Sequence, residues 1–545
     1  MQQEQFRKYK RIFNDLKTAF DKEKATLKDI RDFIAPGMGY FLDKSGEEDN
    51  KIDYQQLLDE DVCGYFDITQ NGLFSGLCNP ASDWFNIEPA DVQLKDDYEA
   101  QLYCGEVKKR MRYLFDNAGF YPAVHKFFGE APRFGYGAMC VEESLKDIVS
   151  FNVFTCGEAF FGIGADGDYD KMAFERTYRA DEMLEKFGSE NCPQKVKDAF
   201  EKGDMQTKFT VHTVLCPNFF KEPRKIDGAN KPFICVYWIT GEEKPLMISG
   251  FDENPLSVLA WYRKNNRTVY PFGPGRLLLG SVRQIQNSTK NMIYNEDLVN
   301  MPPVNVHKDV GEPSLMPNGV NFTEGDADKA VVPVFKVDNR LDVSQNRINA
   351  IKLRARSLSL ADIMLIFAQQ NTRDMTATQV NAIISEQMLM LGAVYLNAKA
   401  ALDKIFERVF AIGLRRGFWP QPPQTLQGTD LKVEYISAIA LAQKATEINT
   451  MGQLVQFVMN LAQTQNDNLD TDFMTRRAAQ ALGVDPKCLV SEVKRDEQRQ
   501  AIVQEQQRQA IMQQEAAAAD NAEKLSKASL APDNALGALV KSAGE

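Results

Sequence analysis

The sequence predicts an α+β fold in which helices predominate. Three long stretches, at about 275–300, 344–367 and 376–416, repeat apolar residues every three or four positions, which is the period of one helical face. Between about 130 and 270 the pattern changes to short β-branched and aromatic runs separated by turn residues. A helical framework with one strand-rich region is therefore expected.

Length and composition indicate a soluble globular class. The chain has 545 residues, 44% of them hydrophobic, and a net charge of −11, so it is long enough for more than one structural region. No apolar run reaches the roughly 20 residues that cross a bilayer, and Met1-Gln2-Gln3-Glu4 has no signal-peptide pattern. We expect folding in a cytosol and no membrane partner.

The first predicted element is an amphipathic helix at residues 6–34, with more Lys and Arg than Asp and Glu. A basic helix is able to touch DNA or a membrane, but a solvated outer face is the commoner use of such a surface. The apolar residues expected on its inner face are Phe13, Leu16, Phe20, Leu27 and Ile30.

The strand-rich region is marked by runs at 149–154, 209–214 and 234–239, with a helix expected at 180–187. Within it, Gly162-Ile163-Gly164-Ala165-Asp166-Gly167 matches the dinucleotide-binding fingerprint. That fingerprint works only between a strand and a helix whose N-terminus receives the pyrophosphate. Because residues 172–178 have the pattern of a returning strand, we interpret the glycines as a hairpin turn.

Motifs for catalysis and metal binding are missing from the sequence. The nine cysteines are scattered without a Cys-x-x-Cys pair, and with only three histidines in the sequence they do not have zinc-site spacing. We expect the cysteines to be reduced, mostly buried thiols. No P-loop, no Ser/His/Asp order and no acidic cluster for two metals is found. We expect no catalytic residue, metal or cofactor; a nuclease assembled from distant carboxylates is the alternative.

A helix is predicted from about 275 to 300, beginning at Pro274-Gly275 and ended by Met301-Pro302-Pro303. About 25 residues at 1.5 Å each give a rod of roughly 38 Å. One face is apolar, and the other carries amides that suit water or a neighbouring copy. The apolar face has Leu278, Val282, Ile285, Met292, Ile293 and Val299, and the amide face has Gln284, Gln286, Asn287, Ser288 and Asn291.

The stretch from Val304 to Val337 has short β-branched runs punctuated by Gly, Pro and Asn, which predicts strands joined by turns. About 34 residues bury little core on their own. This insertion is therefore expected to pack against other copies of the chain.

A second helix is predicted at about 344–367, and it is locally basic because only Asp362 opposes four cations. Residues 368–372 form an amide-rich break, and Thr376 begins the longest predicted helix, which ends near Arg416. The expected apolar stripe is Ile348, Ile351, Ala355, Leu358 and Ile363, and the cations are Arg347, Lys352, Arg354 and Arg356.

After a Pro-rich linker near 420–428, a strand is predicted at 431–436, and helices return from Ala438. Beyond Ser491 the apolar positions are too sparse for a sustained heptad seam. We predict a solvated helix that loses order after Ala516, with a short helical barrel as the alternative.

Short motifs recur along most of the chain in a characteristic order. They are Asp32-Phe33-Ile34-Ala35-Pro36, the run 72–80 with Trp84-Phe85, Phe134-Gly135-Tyr136-Gly137-Ala138, Phe272-Gly273-Pro274-Gly275, Met301-Pro302-Pro303-Val304, Met375-Thr376-Ala377-Thr378-Gln379-Val380 and Tyr435-Ile436-Ser437 with Leu441-Ala442-Gln443. In this order, from about Phe6 to Val490, the chain resembles the head-to-tail connector, or portal, proteins of short-tailed double-stranded DNA bacteriophages. The family's Tyr-Gly before Gly-Pro is here Tyr270-Pro271-Phe272, which leaves the register of the first helix open.

The resemblance implies a viral portal fold of wing, stem, clip and crown that assembles into a ring. Its regions would be a wing at 1–270, stem helices at 271–301 and 341–366 around a clip at 302–340, a tunnel loop at 367–375, and a long wing helix with its linker at 376–430. A crown at 431–490 and a helical to disordered tail or short barrel at 491–545 would complete it.

The resemblance further implies a non-enzymatic ring of about twelve copies at one capsid vertex, assembled in the host cytoplasm. Double-stranded DNA would pass through it, and its partners would be the terminase large subunit, the tail adaptor, and the major capsid and scaffolding proteins. The tunnel loop would present Gln369, Gln370, Asn371, Thr372 and Arg373, the stem Arg347, Lys352, Arg354 and Arg356, and the docking clip Val306, His307, Lys308, Glu312, Asn318, Glu324 and Asp326.

The acidic balance of the chain predicts weak, salt-sensitive and sequence-independent DNA affinity, because tight DNA binders carry a basic footprint. The stem arginines have a second interpretation, since Arg pairs with carboxylates of neighbouring subunits as readily as with phosphates. A tail-tube or adaptor ring protein and a monomeric nucleic-acid enzyme are the alternative functions.

Overall fold

The computed structural model describes residues 3–42, 57–94, 97–204, 206–222, 225, 227–301, 303–306, 312, 314, 331–333, 341–368, 377–426, 428, 431–435, 474–476, 490 and 492–529. Helices make up most of this described part, and most strands lie between residues 136 and 260. The α+β class with helices predominating is confirmed.

Its helices are long in the N-terminal, central and C-terminal parts and short in the strand-rich region. They are α1 Gln3–Ile34, α2 Asp61–Leu77, α3 Tyr98–Asn117, α4 Phe120–Phe134, α5 Ala180–Phe187, α6 Gln194–Glu201, α7 Pro274–Asn300, α8 Leu341–Leu358, α9 Ala361–Ala368, α10 Ala377–Arg415 and α11 Glu492–Ser529.

In the part of the chain that the structure describes, each pairing between two strands is antiparallel. One sheet has the order β4-β5-β6-β7-β8, a second β3-β2-β9, and two strand pairs are β1-β12 and β10-β11. The strands are β1 Phe85–Pro89, β2 Tyr136–Ser144, β3 Ile148–Phe154, β4 Ala159–Ile163, β5 Tyr169–Arg179, β6 Lys208–Pro217, β7 Phe233–Ile239, β8 Met247–Phe251, β9 Leu256–Ala260, β10 Val304–Val306, β11 Val331–Pro333 and β12 Leu431–Tyr435.

Helix α1 packs its apolar stripe on the five-stranded sheet. The ring of Phe13 meets Trp238 edge-on at 5.4 Å, and Phe20 lies 5.2 Å from Phe160. All five residues predicted for the inner face of this helix are buried, so most of its basic residues are left on the outer side. The same core continues to α7 and α8 through Leu278 and Ile348.

A second core joins α3, α4 and α10 to the β1-β12 pair. Its centre is aromatic: Trp84 stacks on Phe120 at 5.9 Å, and Phe115 stacks on Phe120 at 4.0 Å. Phe406 from α10 approaches Phe115 edge-on at 5.2 Å. Because β1 and β12 are far apart in the chain, their pairing ties the segment after α10 back to the N-terminal half.

The short predicted elements of the strand-rich region are confirmed. The runs at 149–154, 209–214 and 234–239 lie in β3, β6 and β7, and the helix at 180–187 is α5. The glycine-rich run is a hairpin turn between β4 and β5, closed by the Gly164 N–H donating to the Asp168 carbonyl at 2.8 Å. The eight cysteines in the described part are free thiols, and all except the half-buried Cys63 are buried.

The long helices show where local periodicity succeeded and where it did not. The predicted helix at 275–300 is α7, and the one at 376–416 is α10, with 39 residues. The second predicted helix, by contrast, is broken after Leu358, and a new helix begins at Ala361. The chain changes direction at Leu360, whose φ of 68° lies in the left-handed region that a continuous helix excludes.

The C-terminal predictions are only partly within the described residues. The strand at 431–436 is β12, whereas most of 436–490 lies outside the described part. Helix α11 continues to Ser529, beyond Ala516 where the sequence predicted a loss of order. Its apolar residues Ile502, Val503, Ile511 and Met512 are exposed.

Candidate functional site

The candidate site is built on the helix pair α7 and α8. The two helices pack through Val282 and Ile285 on α7 and Ile348 and Ala355 on α8, all of which are buried. They run antiparallel, because Leu277 in the first turn of α7 and the last residue of α8 line the same cavity. The strand pair β10-β11 lies between them in the chain.

Helix α1 holds α7 by two ion pairs. A guanidinium nitrogen of Arg276 lies 2.8 Å from Glu23, and one of Arg283 lies 2.6 Å from Asp29. The basic residues of α7 are seven positions apart and so share one side of the helix. These two cations are therefore engaged inside the subunit.

Gln286 was predicted to lie on the amide face that meets water or a neighbouring copy, and this is wrong. Its side chain is buried and forms hydrogen bonds with the backbone just before α2. Its Oε1 accepts the N–H groups of Leu58 at 2.7 Å and Asp59 at 3.0 Å, and its Nε2 donates to the Asp59 carbonyl at 2.7 Å. The amide thus supplies hydrogen-bond partners to three backbone groups of Leu58 and Asp59.

Lys352 completes this contact from α8. Its ammonium pairs with Asp59 and lies 2.7 Å from the carboxylate of Asp61 in the first turn of α2. Burial acts to lower the pKa of Lys352, but the hydrogen bonds to the two carboxylates outweigh it and raise the pKa. We call the contacts of Leu58–Asp61 with Gln286 and Lys352 the polar joint.

The break between α8 and α9 is fixed by helix α2. The buried Thr69 hydroxyl lies 2.8 Å from the Ser359 carbonyl, which has lost its helical partner. Nearby, a Cβ on Gly72 would lie 2.5 Å from the Met364 side chain, so α2 and α9 approach closely. Leu358, predicted to be on the buried stripe, is exposed because the helix ends there.

The four predicted stem cations divide into two pairs. Lys352 belongs to the polar joint, and Arg356 lies 2.5 Å from Asp362 at the start of α9. Arg347 and Arg354 are exposed and, within the described residues, pair with no carboxylate. These two arginines are seven positions apart, so they share one stripe about 10 Å apart along the helix.

The other predicted site residues are mostly outside the described part. This holds for Gln369, Gln370, Asn371, Thr372 and Arg373, and for His307, Lys308, Asn318, Glu324 and Asp326. Val306 ends β10 opposite Val331, and Glu312 is exposed. Over the described ranges there is no group of three potential metal ligands, and no helix combines the length and apolarity needed to span a bilayer.

Comparison with known proteins gives one consistent result. A family model described as bacteriophage head to tail connecting protein matches residues 7–490. The portal protein of Salmonella phage epsilon15 is 29% identical over 533 residues, which cover 95% of this chain and 94% of the relative. The probable portal protein of Bordetella phage BPP-1 is 26% identical over 548 residues, covering 96% of both.

The matched range agrees with the span over which the sequence motifs occur, and both relatives are covered almost from end to end. The family predicted from those motifs is therefore confirmed. The chain belongs to the bacteriophage head to tail connecting protein family.

Proposed function

We propose that this chain forms a portal ring at one capsid vertex, through which double-stranded DNA enters during packaging and leaves during ejection. The observation that carries the proposal is the end-to-end match to a family and to relatives that are called portal proteins. The proposed role is structural: the ring forms a channel for DNA and catalyses no reaction.

In this proposal α7 and α8 are the stem helices, 302–340 is the clip, 367–375 is the tunnel loop and 431–490 is the crown. The clip docks the terminase large subunit and later the tail adaptor, and the wing meets the capsid and scaffolding proteins. The acidic balance of the chain supports a conduit, because a lumen with many phosphate contacts would trap the DNA.

Native mass spectrometry of the purified chain tests the ring. We expect a closed oligomer of about twelve copies with a central opening in electron micrographs. A monomer under conditions that favour association would contradict the proposal and would point to the enzyme alternative. A smaller ring that joins the tail and not the capsid would favour an adaptor.

The division of the stem cations narrows the DNA-facing role to Arg347 and Arg354, since Lys352 and Arg356 are engaged inside the subunit. Arg347→Ala with Arg354→Ala is expected to leave ring assembly intact and the unfolding free energy within about 0.5 kcal/mol of wild type, because both side chains are exposed. Affinity of the ring for double-stranded DNA, and its dependence on salt, should both fall.

Lys352→Met is the matched control on the same helix. It should lower the free energy of unfolding by about 1–3 kcal/mol, because it leaves the largely buried carboxylate of Asp59 without its ammonium. If the double arginine variant fails to assemble while its monomer stays folded, the two arginines pair with carboxylates of neighbouring copies, and their DNA-facing role is wrong.

A further inference from the structure

An apolar cavity of about 420 Å³ opens on the surface where α7 begins and α8 ends. Its walls include Tyr262, Phe272, Leu277, Leu358 and Leu360, and among the described residues that line it Lys264 is the charged one. Tyr262 and Leu277 are 62% and 68% exposed, and Phe272 and Leu358 are 38% and 41% exposed. Four large apolar side chains are thus clustered in water on one side of the helix pair.

The cavity is built from rigid parts. The Phe272 N–H donates to the Tyr262 carbonyl at 2.9 Å, which closes one wall as a β-bridge. Leu358 and Leu360 in the lining belong to the α8–α9 break, which is held by Thr69 at the Ser359 carbonyl. Gly273 also lines the cavity, and a Cβ on it would lie 2.8 Å from the backbone of Gly135, so the start of α7 lies close against the end of α4. The cavity is preformed and needs no rearrangement to receive a side chain.

We infer that this cavity binds a second copy of the chain, so that the neighbouring subunit covers it at each subunit boundary of the ring. The inference rests on the proposed function. Taking about 200 Å² for each fully exposed large side chain, the four residues leave about 400 Å² of apolar surface in water. That is near the largest patch a soluble monomer carries and about half of what one partner buries in a stable interface.

The position of the cavity selects a second copy over another partner. Its lining residues lie at the start of α7 and the end of α8, which are the ends of these helices that are far from β10-β11. In a ring every subunit has a neighbour on each side, and the contact between them joins two different surfaces of the chain. A preformed apolar cavity is suited to be one of these two surfaces.

Leu277→Asp with Leu358→Asp tests the inference. Leu277 is mostly exposed and Leu358 partly exposed in the single chain, so the urea midpoint of the monomer should fall only slightly, whereas the ratio of ring to monomer at fixed concentration should fall at least about tenfold. Leu145→Asp is the control, because Leu145 is a 94% exposed leucine in the β2–β3 turn, away from the cavity. Equal ring formation by the double variant and by this control would overturn the inference.

Alkylation of a Leu277→Cys variant gives a second, independent measurement. With the reaction of the native thiols in wild type subtracted, the introduced thiol should react with iodoacetamide quickly in the monomer and at least about tenfold more slowly in the ring. If wild type forms no ring, the portal proposal itself fails. If the ring forms and the introduced thiol reacts as fast in it as in the monomer, this inference alone fails.

Discussion

Arg133→Met is expected to lower the free energy of unfolding by about 3 kcal/mol. The Arg133 side chain is 3% exposed, and its guanidinium donates to the Gln70 amide oxygen at 2.8 Å and to the Gly129 carbonyl at 2.9 Å. It also pairs with Asp67. Burial lowers the pKa of Arg133, which shows that removing this cation from water is unfavourable and is only partly offset by its acidic neighbours.

The cost arises from the acceptors that the variant leaves behind. Asp67 is 66% exposed and becomes hydrated, and the Gly129 carbonyl lies inside helix α4, where it has a backbone N–H donor. The Gln70 amide oxygen, however, lies on the packed α2–α4 contact and loses its charged donor. Each buried acceptor without a donor costs about 1–3 kcal/mol. Methionine is close to arginine in length, so it leaves little cavity and isolates this polar loss.

Urea unfolding of the variant and of Arg179→Met separates buried from surface arginines. Arg179 pairs with Asp181 and Glu182, but its side chain is 47% exposed, so its removal should cost no more than about 0.5 kcal/mol. Equal shifts in the two variants would contradict the role given to Arg133.

Periodicity in the sequence was enough to predict α1, α7 and α10, because each buries a regular stripe of its own residues. It also predicted β3, β6 and β7 from their β-branched runs. The break in the second stem helix was not predictable, because residues 341–368 contain no Gly or Pro. The Ser359 carbonyl at the break accepts a hydrogen bond from Thr69, 290 positions away in the sequence. A local sequence pattern does not contain that contact.

The same limit applies to the candidate site. The four cations of α8 were found from the sequence as a set, but the pairing of Lys352 depends on Asp59 and Asp61, and Asp61 precedes it by 291 positions. Gln286 looked like a surface amide because its neighbours are polar, and only the fold brings it to the backbone of Asp59, 227 positions away. Contacts between distant polar groups leave no period in a sequence.

The contribution of Glu130 to wild-type stability is expected to fall as pH rises from about 4.5 to about 7, and Glu130→Gln should remove this contribution. Glu130 is 1% exposed, and burial raises its pKa to about 7 from an ordinary value of 4.5. Between these values the folded chain holds a proton that the unfolded chain has released. The free energy of unfolding therefore decreases across this window, by about 3 kcal/mol in total.

The contacts of Glu130 explain why the shift is not larger. Its Oε1 accepts the Thr155 hydroxyl at 2.6 Å and its Oε2 accepts the Cys156 N–H at 3.0 Å, and both hydrogen bonds favour the charged form. The cations Lys126 and Arg133 act in the same direction but more weakly. Glutamine keeps an acceptor for the Cys156 N–H and a polar contact with Thr155, while it has no charge to desolvate.

Urea midpoints of both proteins at several pH values between 4.5 and 8 isolate the effect, because the remaining carboxylates contribute equally and cancel in the difference. Glu130→Gln should be the more stable protein at pH 8, and the difference should shrink to the small cost of the amide near pH 4.5. Because Arg133 helps to hold Glu130 charged, Arg133→Met should move the pKa of Glu130 further upward and extend the sloping region above pH 7. Parallel pH profiles for wild type and Glu130→Gln would show that the carboxylate is ionised in the fold at little cost, and that Thr155 and Cys156 compensate fully for its burial.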